Sequence, residues 1–133
     1  MTYEPDAAHR RPQSAADTTV EAVGKLSEAL ETVERARGHL YAFHQLTGRA
    51  DLMLDIVVDQ LKQVGHGDLA ARIGTELIGR DVIEDRWTFQ IVEDYDDGYY
   101  ATFRELERDV RDRLLDGRRH VAEAEMKRRR QSG

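Results

Sequence analysis

Cysteine is missing from the 133 residues of this chain. That removes disulfides, thiolate metal ligands and thiol nucleophiles from consideration. Long apolar runs are missing as well. No stretch approaches the roughly 20 residues a bilayer-spanning helix needs, and the polar segment Met1 to Asp17 lacks the apolar core of a secretory signal. The cytoplasm is the expected location. A basic balance is also absent. The net charge is −6, and phosphate contact needs a basic face, so nucleic acid is not an expected partner. There is no glycine-rich phosphate loop. Ser14, Ser27 and Ser132 have no neighbouring histidine that suggests a nucleophile.

Metal-site patterns fail on spacing. Di-iron helical sites need Glu three residues before His. The residues three before His9, His39, His44, His66 and His120 are Asp6, Ala36, Tyr41, Gln63 and Gly117. The run Glu93 to Gly98 superficially follows a calcium loop, but its third and twelfth positions would be Tyr95 and Arg104 rather than oxygen-rich acids. Neither a metal nor another cofactor is expected.

What the chain does have is charge and helical period. Charged residues make up 35% and apolar residues 40%, which suits long solvated helices around one core. Residues 1–17 hold both prolines and no apolar period, and are expected to form a disordered arm. Thr18-Thr-Val-Glu21 fits a capping box. From there Val23, Leu26, Leu30, Val33, Leu40 and Phe43 recur at helical spacing, with Gly48 as the natural stop. Leu52, Met53, Leu54, Ile56, Val57, Val58, Leu61 and Val64 make a second helix apolar almost all round, which implies burial on more than one side. Asp51, Asp55 and Asp59 form its polar stripe. They face water or dock arginines such as Arg108, Arg111 and Arg113.

The expected fold is therefore an all-α helical bundle. Two long helices, about 18–47 and 96–127, flank two short ones, about 50–64 and 68–79, and an irregular acidic–aromatic connector links the halves. Residues 18–127 are expected to form one domain, followed by a frayed basic tail, 128–133. Short connections favour antiparallel neighbours. The short helices cannot cover both long seams, so a homodimer is expected.

The candidate contact site lies where charge is most lopsided. Segment 81–97 holds seven acids against Arg86 alone, a balance of −6, and with its continuation carries five aromatics. The candidate partner-binding residues are Trp87, Phe89, Glu93, Asp94, Tyr95, Asp96, Asp97, Tyr99 and Tyr100. If the aromatics are exposed they make a recognition patch. The function expected is that of a non-catalytic, self-associating interaction or regulatory protein contacting a protein partner through segment 81–100. The alternative is a small-molecule or metal-binding helical protein, with a pocket near His39, His44, Trp87 and Tyr95.

Overall fold

The computed structural model describes residues 3–132. The described chain is all-α. It holds no strand, only an isolated antiparallel bridge between Ile83 and Arg86. The helices are α1 (Asp17–Gln63), α2 (Gly67–Glu76), α3 (Thr88–Tyr95), α4 (Ala101–Leu115) and α5 (Val121–Ser132). A π-helical stretch, Asp96–Tyr100, carries α3 into α4.

Helix α1 overturns the expected stop at Gly48. Its 47 residues run through the glycine and absorb the expected second helix, giving a length of about 70 Å. A glycine ends a helix by taking a positive φ, and Gly48 does not. The residues after it are good helix formers, so Gly48 costs only about 1 kcal/mol against alanine. The real stop is Gly65, at φ +85°. There the Gly65 N–H donates to the Lys62 carbonyl (3.2 Å) and the His66 N–H to the Leu61 carbonyl (2.8 Å), a Schellman motif.

Two further boundaries differ from expectation. Thr88 to Tyr95 is helical rather than irregular. The Trp87 N–H donates to Gln90 Oε1 (3.2 Å), a side chain reaching back to the helix start, and this local closure outweighs the strand-like alternation of the sequence. The expected last long helix ends at Leu115. Asp116 and Gly117 both take left-handed φ, 53° and 73°, and the Gly117 N–H caps the Arg111 carbonyl at 3.0 Å. A separate helix, α5, follows and continues through Ser132.

The chain divides into two compact units. The first comprises Met1–Arg35 with Gly98–Gly133, and the second comprises Ala36–Asp97. The core of the first is Ala15, Val20, Val23, Leu115 and Val121, with Val110 and Ala122 packed against it. Helices α1 and α5 approach closely at Gly24, where a Cβ would stand 2.8 Å from that of Ala122. The described part of the expected disordered arm belongs to this unit. Pro5 and Ala15 are buried, and Arg11 pairs with both Glu125 and Asp17. Under that core, Arg111 Nε donates to Glu107 (2.8 Å) and its Nη1 to the Gly117 carbonyl (2.7 Å). Glu107 is 5% exposed.

The second unit has very little core. Of its apolar side chains only Ala70 and Val92 are buried. Leu40, Leu54, Val58 and Leu61 of α1 are half-buried, while Leu52, Met53, Ile56 and Val64 are exposed. The expected burial of this stretch on more than one side is not met within the chain.

Candidate interaction site

The acidic–aromatic segment begins in the connector after α2. The Ile83 and Arg86 backbones bond to each other (3.3 and 2.8 Å) across a two-residue turn, Glu84-Asp85, with Asp85 at φ +62°. That turn delivers Trp87 to the start of α3. Trp87 and Phe89 stack at 5.9 Å between centroids, and both stay largely exposed, at 55% and 44%. Beneath them His44 meets Phe89 edge-on at 5.1 Å and Tyr41 at 5.9 Å. Its Nδ1 lies 2.7 Å from the Thr88 hydroxyl. His44 is thus a hydrogen-bonded rim histidine that locks α3 onto α1.

The acids divide by role. Asp96 is held in a bidentate pair by Arg37, with Nε to Oδ1 at 2.7 Å and Nη2 to Oδ2 at 2.9 Å. Hydrogen bonds from Arg37 lower its carboxyl below the ordinary value of 3.8. Asp94 lies 3.5 Å from Arg86 and remains 66% exposed. Glu93 and Asp97 are exposed. The helical path begins at Thr88, which puts these acids past its first turn. Tyr99 and Tyr100 belong to the other unit, where Tyr100 donates to Glu34 (3.3 Å) and Tyr99 meets Phe103 at 5.9 Å. Asp51 accepts from the Gly79 N–H (2.9 Å), whereas Asp55 and Asp59 face solvent. Of the arginines considered for that stripe, Arg111 serves Glu107 and Arg113 serves Asp109.

The pair with Arg37 yields a pH prediction. A lowered folded pKa means the unfolded chain takes up the proton first. The stabilisation is then full above the unfolded value and is lost as pH falls through the folded one. For a partly exposed bidentate pair it is worth about 0.5–1 kcal/mol. Asp96→Asn is expected to lower stability by that amount at neutral pH and by clearly less in strong acid. Denaturant melts at the two pH values check it, and an equal loss at both would contradict the assignment.

An open apolar groove of 790 Å³ runs beside the aromatics, lined by Phe43, Thr47, Leu54, Leu77, Val82 and Trp87. Asp51, Arg80 and Asp81 supply its polar groups. Of the four residues expected around a pocket, Trp87 lines it. Among the described residues no three His, Asp or Glu side chains converge as a metal site, and no helix is long and apolar enough to cross a membrane. With a stop expected at Gly48, the sequence did not place Leu46 on one helix with Met53 and Val64, and all three are exposed. Their recurrence across Gly48 was the available signal. Compared with family models, curated proteins and solved structures, the chain matches none.

Proposed function

We propose that this chain is a non-catalytic helical interaction protein of the cytoplasm that self-associates and binds a protein partner through the exposed part of segment 81–97. The observation that carries this reading is the exposure of Trp87 and Phe89 on a unit whose buried apolar side chains are Ala70 and Val92 alone. Large aromatics rimmed by charge are the residue types that dominate binding energy at interfaces. The exposed Glu93, Asp94 and Asp97 of the same segment favour a partner with a basic rim, because complementary charge speeds and orients encounter. Asp96 takes no part in this contact, since Arg37 already holds it.

The test is affinity capture with the full chain and with a Trp87→Ala, Asp94→Lys variant. Circular dichroism establishes that both are folded. A partner retained by the natural chain and lost by the variant supports the segment. Equal retention by both removes it. A second reading has its own observation, the groove. Its volume and apolar lining fall within the range of small-ligand sites. Native mass spectrometry of the purified chain separates the two, because a bound molecule adds mass that a bare self-association complex lacks.

A further inference from the structure

A cleft of 240 Å³ lies within the first unit, lined by α1, α4 and the turn into α5. Its walls carry opposite charge. Arg104, Arg108 and Arg111 recur at four and three residues and so share one face of α4. Arg119 joins them from the turn, whose course is set by left-handed φ at Asp116, Gly117 and His120. Glu31 and Glu34 line the α1 side.

Arg111 is fixed in place. Its side chain is 14% exposed, and its Nε donates to Glu107 (2.8 Å) and its Nη1 to the Gly117 carbonyl (2.7 Å). Its Nη2 has no partner among the described residues and is not buried, so that edge of the guanidinium is open. Arg104 rests over the Tyr100 ring at 5.6 Å. Arg108 and Arg119 are exposed, and their guanidinium groups pair with nothing among the described residues. Arg11, Arg113 and Arg128 of the same unit each reach a carboxylate. Carboxylates are not lacking in the cleft, yet neither Glu31 nor Glu34 forms an ion pair among the described residues. Glu34 accepts only from a neutral group there, the Tyr100 hydroxyl (3.3 Å). Both walls therefore keep charge that the chain does not neutralise. Like charges three and four residues apart on a helix repel, so the arginine face gains from a counter-ion.

We infer that the cleft binds a small phosphate monoester that also carries an ammonium group. The phosphate meets the arginines, and the ammonium meets Glu31 and Glu34. A guanidinium fork matches phosphate oxygens, and approach from both α4 and the turn suits a tetrahedral group better than a planar carboxylate, which one fork satisfies. Four arginines against three glutamates leave the lining one net positive charge. A monoester near −2 joined to one ammonium brings about −1, which balances it. The volume lies below the roughly 300 Å³ at which pockets for drug-sized ligands begin, so the ligand is compact. The proposed contact segment and its groove belong to the second unit, so failure of this inference leaves that reading untouched.

Isothermal titration of the full chain tests it with O-phosphoethanolamine, and with inorganic phosphate and ethanolamine as its two halves. O-Phosphoethanolamine should bind at one site, at least about tenfold more tightly than inorganic phosphate, because one further charged contact is worth about that factor. Ethanolamine alone should not bind. Arg108→Ala with Arg119→Ala should weaken both phosphate compounds at least about tenfold. Glu31→Gln should weaken O-phosphoethanolamine alone. All three residues are exposed and unpaired, so the variants are expected to fold, and circular dichroism checks this. Arg129→Ala with Arg130→Ala removes the same charge outside the cleft and should leave affinity unchanged. No saturable binding, or equal weakening by the two arginine pairs, overturns the site. Inorganic phosphate binding as tightly as O-phosphoethanolamine overturns the ammonium and the role of Glu31.

Discussion

Leu115→Ala is expected to destabilise the protein by about 3 kcal/mol, within the 2–5 kcal/mol range for deleting buried leucine atoms. Leu115 is 2% exposed at the C-terminal end of α4, among Ala15, Val20, Val23 and Val121. It is one of the two largest fully buried side chains. Its neighbours are small or β-branched, so their rotamers are stiff and they refill a hole poorly. The cavity penalty should therefore add to the lost transfer energy. Domains of this size are stable by only about 5–15 kcal/mol, so the loss is a large fraction. Urea denaturation should show a lower midpoint with an unchanged slope. A loss under about 1 kcal/mol would mean that this cluster is not what holds the unit.

Glu107→Ala should cost a similar amount, about 3 kcal/mol, by a different route. Glu107 and Arg111 form a pair with side-chain exposures of 7% and 14%. Removing one partner leaves a charge stranded away from water, which typically costs about 3–5 kcal/mol. The lower figure is apt because Arg111 keeps its bond to the Gly117 carbonyl. The diagnostic is the double variant Glu107→Leu, Arg111→Met. Well-packed apolar replacements of a buried pair are often neutral. The double variant should recover all but about 1 kcal/mol, the worth of the lost bond to Gly117. Additive losses in the two single variants and the double would contradict a coupled pair.

Much of the helical content was legible in the sequence, because periodic apolar positions such as Val23, Leu26 and Leu30 leave a signal in any window. The breaks were less legible. Gly48 and Gly65 are the same residue type, and only the φ each adopts separates a continued helix from a stopped one. The strand-like alternation of Trp87-Thr-Phe-Gln-Ile competed with helical spacing in one short stretch, and the closure by Gln90 decided it. Ties across long separations could not be read at all. Arg11 finds Glu125 114 residues away, and Arg37 finds Asp96 59 away. At the candidate site, the sequence marked Trp87, Phe89 and the acids as a cluster. It did not show that Asp96 is occupied or that Tyr99 and Tyr100 fall in the other unit.

The order of the two units along the chain bears on how the protein acquires its structure. The second unit is one uninterrupted stretch, Ala36–Asp97, whose pairings close within that stretch, whereas the first joins Met1–Arg35 to Gly98–Gly133 across it. Local pairings close rapidly, and contacts between distant segments wait for a costly loop closure. The inserted stretch should therefore become helical while Leu115 and Val121 are still searching for Val20 and Val23. Throughout that interval the apolar residues of the unfinished first unit stay in the open beside the exposed Leu52, Met53, Ile56 and Val64 of α1, and exposed apolar surface is what drives misassembly. Refolding yield should accordingly fall with rising protein concentration.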